Sequence, residues 1–253
     1  MNAAFFDIDG TLMAKPSLER RMLGDLWWRR GIPAGNYFRW LVEAMHLGVR
    51  DRCRAVHGNK MYLRDLAADV FSAAGHGQRF SGAIEFFPAA VQRVWWHAMR
   101  GDCIVLVSGT LEPLAEKVKF ALQREMLWRG VDMSVFVLAT RLEIRDERFT
   151  GRVLGTPRFA EEKARAIREF AERRRIMLSQ CSAYGDSSLD RWMLAAVGHP
   201  VAVNADGDLK KIAVMRGWPA VSWTTDRRGA REARRAKAGW GAANWKRRSE
   251  TAR

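Results

Sequence analysis

The chain carries two kinds of apolar pattern after about residue 101. Four short apolar runs have the length and composition of buried strands, at residues 103–107, 135–139, 182–184 and 200–204. The segments between them have the apolar spacing of helices, at residues 112–129, 161–178, 189–197 and 208–216. Residues 142–153 have the pattern of a hairpin that turns near Asp146 and Glu147. Strands that alternate with helices predict an α/β fold built on a doubly wound parallel sheet.

Another apolar run, near the N-terminus, ends at two acids. Asp7 and Asp9 stand two residues apart, just before Gly10. A buried strand that projects two carboxylates from its carboxyl edge is costly unless a cation or a reacting group holds them there. Asp7 could therefore attack phosphorus as a nucleophile, and Asp9 could protonate the departing alkoxide and later take a proton from water. A strand that ends in an ordinary Asp-Gly turn is the alternative interpretation.

The same turn offers groups for a metal ion and for phosphate. A magnesium ion shared by Asp7 and Asp9 would reduce their mutual repulsion and that of an incoming phosphate. Gly10 and Thr11 suit a tight turn in which backbone N–H groups point at phosphate oxygens. The turn therefore predicts a site for a phosphorylated ligand at the carboxyl edge of the sheet.

Polar side chains later in the chain follow predicted strands or open predicted helices. Ser108 follows a strand, so its hydroxyl and the next amides, from Gly109 onwards, could bind a phosphate oxygen. Asp186 and Asp190 stand four residues apart across a strand-to-helix turn, where a carboxylate could complete a magnesium shell. Lys163 lies near a helix start, where the dipole does not favour a cation, which indicates another purpose. Each residue alone also fits an ordinary turn, cap or solvated position.

Taken in order, these motifs resemble those of the haloacid dehalogenase superfamily, in particular its phosphoserine-phosphatase-like branch (subfamily IB). The order is Asp-x-Asp-Gly-Thr, Ser-Gly-Thr after a hydrophobic strand, Lys, then Gly-Asp-x-x-x-Asp, and the resemblance covers about residues 3–222. It implies that Asp7 forms an aspartyl-phosphate and that Asp9 is the general acid and base, which argues for phosphate ester hydrolysis. The other implied roles are phosphoryl binding by Ser108, charge neutralisation near Asp7 by Lys163, and magnesium binding by Asp186 with support from Asp190.

The resemblance also divides the chain. It implies a Rossmann-like core at residues 1–13 and 101–223, with a helical cap inserted after the first strand at residues 14–100. In this cap a near-helical apolar stripe is expected to form cap core rather than a lipid site: Leu23, Leu26, Trp27, Phe38, Leu41, Val42 and Met45. Arginines that could read a substrate or simply face solvent follow at Arg50, Arg52 and Arg54. Serine-phosphate enzymes carry Glu nine positions after the nucleophile, where this chain has Pro16, which argues against phosphoserine.

Charge is the unusual bulk property of the 253-residue chain, with 43 basic against 28 acidic residues and a net charge of +15. Residues 224–253 hold ten basic and three acidic residues, a net charge of +7. This tail is too polar to bury a core, so it is expected to be solvated or to contact anionic lipid or nucleic acid. Cys53, Cys103 and Cys181 have no CxxC spacing and are expected to be reduced. Without a membrane-length apolar run or a signal-peptide pattern, a cytoplasmic protein is expected.

The sequence thus predicts a magnesium-dependent phosphomonoesterase acting on a small organic phosphate. Two alternatives stay open. The enzyme could act on a lipid phosphate if its Trp-rich cap and basic tail meet a membrane surface. The chain could also be a non-catalytic protein that binds an anionic surface or nucleic acid on a hydrolase-like scaffold.

Overall fold

The computed structural model of the protein describes residues 1–50, 58–71 and 83–224. Its centre is a six-stranded sheet in the order β3-β2-β1-β6-β7-β8, with every neighbouring pair parallel. The strands are β1 (Ala3–Phe6), β2 (Cys103–Leu111), β3 (Val135–Thr140), β6 (Ser182–Gly185), β7 (His199–Val203) and β8 (Ala220–Val221). The predicted doubly wound α/β fold is confirmed.

Strand β1 lies in the middle of this sheet because both of its faces are apolar. All four of its residues are buried, with Phe5 packed in the cluster on one face and Phe6 in the cluster on the other. Helices α3 (Pro88–Met99) and α4 (Glu112–Trp128) cover the Phe6 face. The Phe5 face is covered by α5 (Glu161–Arg174), α6 (Arg191–Ala195) and α7 (Gly207–Arg216). Burial on both sides explains the near-continuous apolar runs of the parallel strands.

The predicted cap range, residues 14–100, contains helices α1 (Leu18–Trp28) and α2 (Ala34–Arg50) and two 3-10 turns, Met61–Leu63 and Ala68–Phe71. The predicted hairpin is present as β4 (Leu142–Arg145) and β5 (Arg148–Val153). Asp146 and Glu147 both have positive φ, which suits the turn twist that two-residue hairpins prefer. The hairpin extends the cap, because Phe149 exchanges backbone hydrogen bonds of 2.8 and 2.9 Å with Asp65 and Leu66.

Helix α3 falls within the predicted cap range, residues 14–100, yet it packs on the sheet. Its Val94 joins the cluster under β1, and His97 lies 2.8 Å from the Tyr184 hydroxyl through Nε2 and 2.8 Å from an Asp102 carboxylate oxygen through Nδ1. An amphipathic helix looks the same in sequence whether it covers a sheet or another helix. We therefore propose that the cap ends before Pro88 and that α3 belongs to the core.

The cap stripe is only partly interior. Leu26 is buried with Leu18 and Met22, whereas four members of the predicted stripe are exposed: Trp27, Phe38, Leu41 and Met45. The expectation that the stripe forms the cap core is therefore wrong for these four within the described residues. The physical reason is that the buried face of α1 is the one carrying residues 18, 22 and 26, which turns Trp27 away from it.

Two predicted helices are shorter than their apolar pattern. Helix α5 ends at Arg174 rather than at residue 178, because Arg175 adopts a left-handed conformation. The predicted helix 189–197 is a 3-10 turn, Ser188–Asp190, followed by the short α6.

Some predictions concern residues that the structure does not describe. Cys53, Arg52, Arg54 and the tail beyond Thr224 lie outside the described residues. Cys103 and Cys181 are buried free thiols, as expected for reduced cysteines. Within the described ranges, every helix is too short or too polar to cross a membrane.

Candidate active site

Three of the predicted site residues lie at the carboxyl edge of the sheet. Asp7 follows β1 and continues its pairing, since its backbone N–H donates to the Tyr184 carbonyl at 2.9 Å. Asp186 follows β6, and Ser108 lies within β2 rather than after it, where the pairing with β3 becomes irregular. All three side chains are nearly buried. Adjacent parallel strands thus bring together residues from distant parts of the chain, at the edge where such sheets bind ligands.

Lys163 bridges two of the buried carboxylates. Its Nζ donates to Asp7 Oδ1 at 2.6 Å and to Asp190 Oδ1 at 2.5 Å. The lysine stands in the first turn of α5, so the helix start carries it under the strand edge. Burial alone would lower the pKa of the Lys163 ammonium, but the carboxylates of Asp190 and Asp7 raise it above its usual range. Lys163 is therefore held as a cation beside Asp7.

The second carboxylate oxygen of Asp190 is also hydrogen-bonded. Its Oδ2 accepts hydrogen bonds from the backbone N–H groups of Asp186 and Ser187 and from the Ser187 hydroxyl, at 3.0 to 3.2 Å. Gly185 allows this approach, because a Cβ there would lie 2.5 Å from Asp190 Cβ. Asp190 thus orders the loop after β6 and holds Lys163 at the same time.

Asp186 is approached from two sides by the loop after β1. Its Oδ2 forms an ion pair of 2.6 Å with Lys15 Nζ. Gly10 has a φ of 100°, and a Cβ at this position would lie 2.2 Å from the same oxygen. Glycine is therefore required at residue 10 both for its backbone conformation and for the close approach of Asp186.

Of the predicted metal ligands, the structure brings together the side chains of Asp7 and Asp186 but not that of Asp9. The carboxylates that come within 4.8 Å of one another are those of Asp7, Asp186 and Asp190, and the Asp9 side chain is not among them. Asp9 Oδ1 instead accepts a 2.9 Å hydrogen bond from the backbone N–H of Leu18, at the start of α1. The free amide at a helix start attracts a nearby carboxylate, which explains why this side chain turns towards the cap.

The three clustered carboxylates suit a hard divalent cation. All their ligand atoms are oxygens, which Mg²⁺ prefers and Zn²⁺ does not require. Burial raises the pKa of Asp7 above its usual range, against the opposing effect of Lys163, and burial raises the pKa of Asp186 to about 6. A divalent cation would favour the charged form of both acids, so this donor set fits magnesium.

Asp9 has the environment of a proton donor. Its carboxyl is largely buried, and burial raises its pKa, while the hydrogen bond from Leu18 works in the opposite direction. It stands on the same loop as Asp7, on the side that faces the cap. A carboxyl with a raised pKa next to a buried anion is suited to general acid and base chemistry.

The remaining predicted phosphate-binding residues lie in the same region. Thr11 is fully buried, and within the described residues its hydroxyl has no hydrogen-bond partner. Gly109 has a packing reason to be glycine, because a Cβ there would lie 2.1 Å from the Phe159 ring. Ser108 Oγ accepts from the Thr110 amide at 3.2 Å. The orphaned hydroxyl of Thr11 is a buried polar group for which a ligand would supply a partner.

Sequence reasoning missed Lys15 and a second buried ion pair. Lys15 has no pattern around it that indicates a site. In the cap, Glu19 Oε1 accepts from Lys60 Nζ and, at 2.6 Å, from the Tyr62 hydroxyl, and Lys60 is nearly fully buried. Only the fold brings residues 19 and 60 together, so their pairing has no local signal.

Comparison with known proteins places this geometry in a family. The family described as haloacid dehalogenase-like hydrolase matches residues 4–195. A probable phosphatase of Mycobacterium tuberculosis is 32% identical over 228 residues, covering 88% of this chain and 75% of the relative. A phosphoserine phosphatase of the same organism is 28% identical over 244 residues, covering 90% and 73%. A solved phosphoserine phosphatase, described as a phospho-aspartyl intermediate analogue, shares the fold with a TM-score of 0.56, at 21% identity and coverage of 92% and 98%.

The chain therefore belongs to the haloacid dehalogenase-like hydrolase family. Its similarity to the phosphoserine phosphatase of Mycobacterium tuberculosis, together with the shared fold, supports the branch expected from the sequence. The family and the enzyme class expected from the sequence, a phosphatase of this type, are confirmed.

Proposed function

We propose that the protein is a magnesium-dependent phosphomonoesterase that hydrolyses a small organic phosphate through an aspartyl-phosphate on Asp7. The observation that carries this proposal is the 2.6 Å ion pair between Lys163 and Asp7, which favours the charged form of a buried carboxyl at the edge of the sheet against the effect of burial. A charged carboxylate is the nucleophile that this chemistry needs, and a lysine beside it lowers the repulsion of an incoming phosphate.

In the first step, an Asp7 carboxylate oxygen forms a bond to phosphorus while the bond from phosphorus to the ester oxygen breaks. The electron pair of the broken bond leaves with the ester oxygen, and Asp9 donates its proton to that oxygen, which departs as an alcohol. Lys163 and the hydroxyl of Ser108 stabilise the negative charge on the phosphoryl oxygens. Asp190 acts through Lys163 and the loop after β6, so we assign it a positioning role.

In the second step, a water oxygen attacks the phosphorus of the aspartyl-phosphate. Asp9, now a carboxylate, takes a proton from that water, and the bond between phosphorus and the Asp7 oxygen breaks. Inorganic phosphate leaves, and both acids return to their starting protonation states.

Magnesium would be held by Asp7 and Asp186, close to Asp190, and when bound it would supply positive charge next to the phosphoryl oxygens. We propose that the Asp9 side chain is not among these ligands and that a backbone carbonyl near Asp9 is one of them.

Two observations bear on the substrate class: the residue at position 16 and the activities named for the relatives. Pro16 stands where serine-phosphate enzymes carry a glutamate, which argues against phosphoserine. Among the relatives are a phosphoserine phosphatase of Mycobacterium tuberculosis and a histidinol-phosphatase of Neisseria meningitidis. We propose a small phosphomonoester other than phosphoserine.

The experiment is turnover of a panel of phosphomonoesters by the full chain with magnesium, including phosphoserine, histidinol phosphate, glycerol phosphate and 4-nitrophenyl phosphate. Lipid phosphates in vesicles test the membrane alternative in the same assay. Turnover of at least one small phosphate that disappears in Asp7→Asn supports the proposal. No turnover of any ester, together with nucleic-acid or vesicle binding that weakens with salt, would support the non-catalytic alternative instead.

A further inference from the structure

Arg21 joins the two connections that link the cap to the core. Its Nε donates to the Pro16 carbonyl at 2.8 Å, and one terminal nitrogen donates to the Ala14 carbonyl at 2.8 Å. The other terminal nitrogen donates to the Ala83 carbonyl at 3.2 Å, on the returning connection. One guanidinium therefore holds three carbonyls from the segments on which the cap is mounted, using the planar fork of donors that only arginine has.

The two connections are also paired directly below Arg21. Met13 and Phe86 form an antiparallel bridge, and the Phe87 N–H donates to the Leu12 carbonyl at 2.9 Å. This pairing is short and ends before the start of α1. Arg21 adds hydrogen bonds to the carbonyls of Ala14 and Pro16, in the segment just before α1 begins.

The start of α1 is also the partner of Asp9. Leu18 is the first residue of α1 and lies about one helical turn before Arg21. Its N–H donates to Asp9 Oδ1. A shift of the helix start would move this donor away from the carboxylate. Hydrogen-bond strength falls steeply with distance and angle, so the side chain of Asp9 would lose its defined orientation.

We propose that Arg21 is a positioning residue for the phosphatase reaction, acting through the start of α1 on the orientation of Asp9. This inference rests on the proposed role of Asp9 as general acid and base. Among the described residues, the hydrogen bonds of the Arg21 side chain all go to backbone carbonyls, and its positive charge also lowers the pKa of Asp9.

The test compares two phosphate esters whose leaving groups differ in their need for a proton. An alkyl phosphate needs a proton from Asp9 as its alcohol departs, whereas the nitrophenolate of 4-nitrophenyl phosphate leaves without one. Single-turnover release of the alcohol is measured for both esters in Arg21→Met, with Arg20→Met as the matched control on the same helix. We expect the alkyl ester to slow about tenfold or more in Arg21→Met and the aryl ester less than about twofold, and Arg20→Met to match the wild type on both.

A double variant separates positioning from general damage to the fold. In the Asp9→Asn background, Arg21→Met should cause no further loss with the alkyl ester, because both changes act on the same proton transfer. Equal losses on the two esters, or additive losses in the double variant, would overturn the proposal. If Arg21→Met does not fold, Arg21→Lys and Arg21→Gln, which keep a single donor nitrogen in place of the arginine fork, carry the same comparison. Failure of the wild type to release alcohol from either ester would count against the proposed function instead.

Discussion

The backbone amide of Leu18 donates to the carboxylate of Asp9 over 2.9 Å, so helix α1 begins on a side chain of the proposed active site. Asp9 is thereby turned away from the carboxylate cluster and towards the cap, where the leaving group of a substrate would lie. Two aspartates only two residues apart on one loop have different partners, Lys163 for Asp7 and a helix start for Asp9. Different partners are what separate a nucleophile from a proton donor.

The first prediction follows from that separation. Asp9→Asn should slow phosphoryl transfer from an alkyl phosphate and should slow hydrolysis of the aspartyl-phosphate still more, because water then lacks its base. Transfer from 4-nitrophenyl phosphate should be partly rescued. We expect a rapid pre-steady-state burst of nitrophenolate, followed by slow steady-state turnover. Steady turnover at the wild-type rate would show that Asp9 is not the acid and base.

The second prediction concerns magnesium. Exhaustive chelation should abolish turnover and added magnesium should restore it, while calcium, which is larger and less strict in geometry, should support it poorly. Magnesium should also raise the melting temperature of the wild type, because a ligand that binds only the folded state stabilises it. Asp186→Asn should lose this thermal response, and Asp208→Asn, an exposed acid on α7, should keep it. Full activity in the chelated protein would contradict the metal assignment.

The third prediction concerns acid stability and the buried His97. Burial lowers the pKa of His97 from 6.5 to about 4, although the Asp102 carboxylate opposes the shift, and Arg93 and Arg100 lower it further. The unfolded chain therefore binds more protons than the folded protein between these values. Stability from neutral His97 is fully present above pH 6.5 and is lost as the pH falls towards 4.

Urea unfolding at pH 7 and pH 5 measures this contribution. Between these pH values, the wild type should lose about 2 kcal/mol more unfolding free energy than His97→Gln, which cannot take up the proton. His199→Gln, at an exposed histidine, should retain the wild-type pH dependence. An identical pH dependence in wild type and His97→Gln would rule out His97 as the source.

The fourth prediction concerns the buried ion pair of the cap. Lys60→Met leaves the Glu19 carboxylate with Tyr62 as its one remaining hydrogen-bond partner among the described residues, so the unfolding free energy should fall by about 3 kcal/mol. Lys60→Met combined with Glu19→Gln should recover most of that loss, since no unpaired charge remains. Lys211→Met, which removes an exposed pair with Asp208, is the control and should have no measurable effect. A double variant no more stable than the single one would contradict this explanation.

The strands and most helices of the core could be predicted because they depend on local pattern. The run before Asp7 is apolar on both faces, and a fully buried strand requires that composition. The family resemblance implies that Lys163 lies near Asp7 and that Asp190 supports Asp186, but the hydrogen bonds from Lys163 to Asp7 and Asp190 join residues far apart in sequence.

What could not be predicted depends on long-range packing. The sequence does not distinguish which of four acids share a cation, because the Asp9 side chain is drawn away by an amide that only the folded cap supplies. The apolar spacing of α3 does not show that this helix covers the sheet. The apolar spacing of α2 does not show that Phe38 and Leu41 are exposed. Apolar periodicity predicts a helix, and its partner is set by the rest of the fold.

The most direct test of the account is the site of covalent phosphorylation. Full-length protein is mixed with a substrate ester carrying labelled phosphate, quenched in acid and digested, with Asp9→Asn used to slow hydrolysis so that the intermediate accumulates. We predict label on the peptide that contains Asp7, and in Asp7→Asn a loss of turnover of several thousandfold, about 5 kcal/mol in barrier. Label on another residue, or more than a tenth of wild-type turnover in Asp7→Asn, would contradict the assignment of Asp7 as the nucleophile.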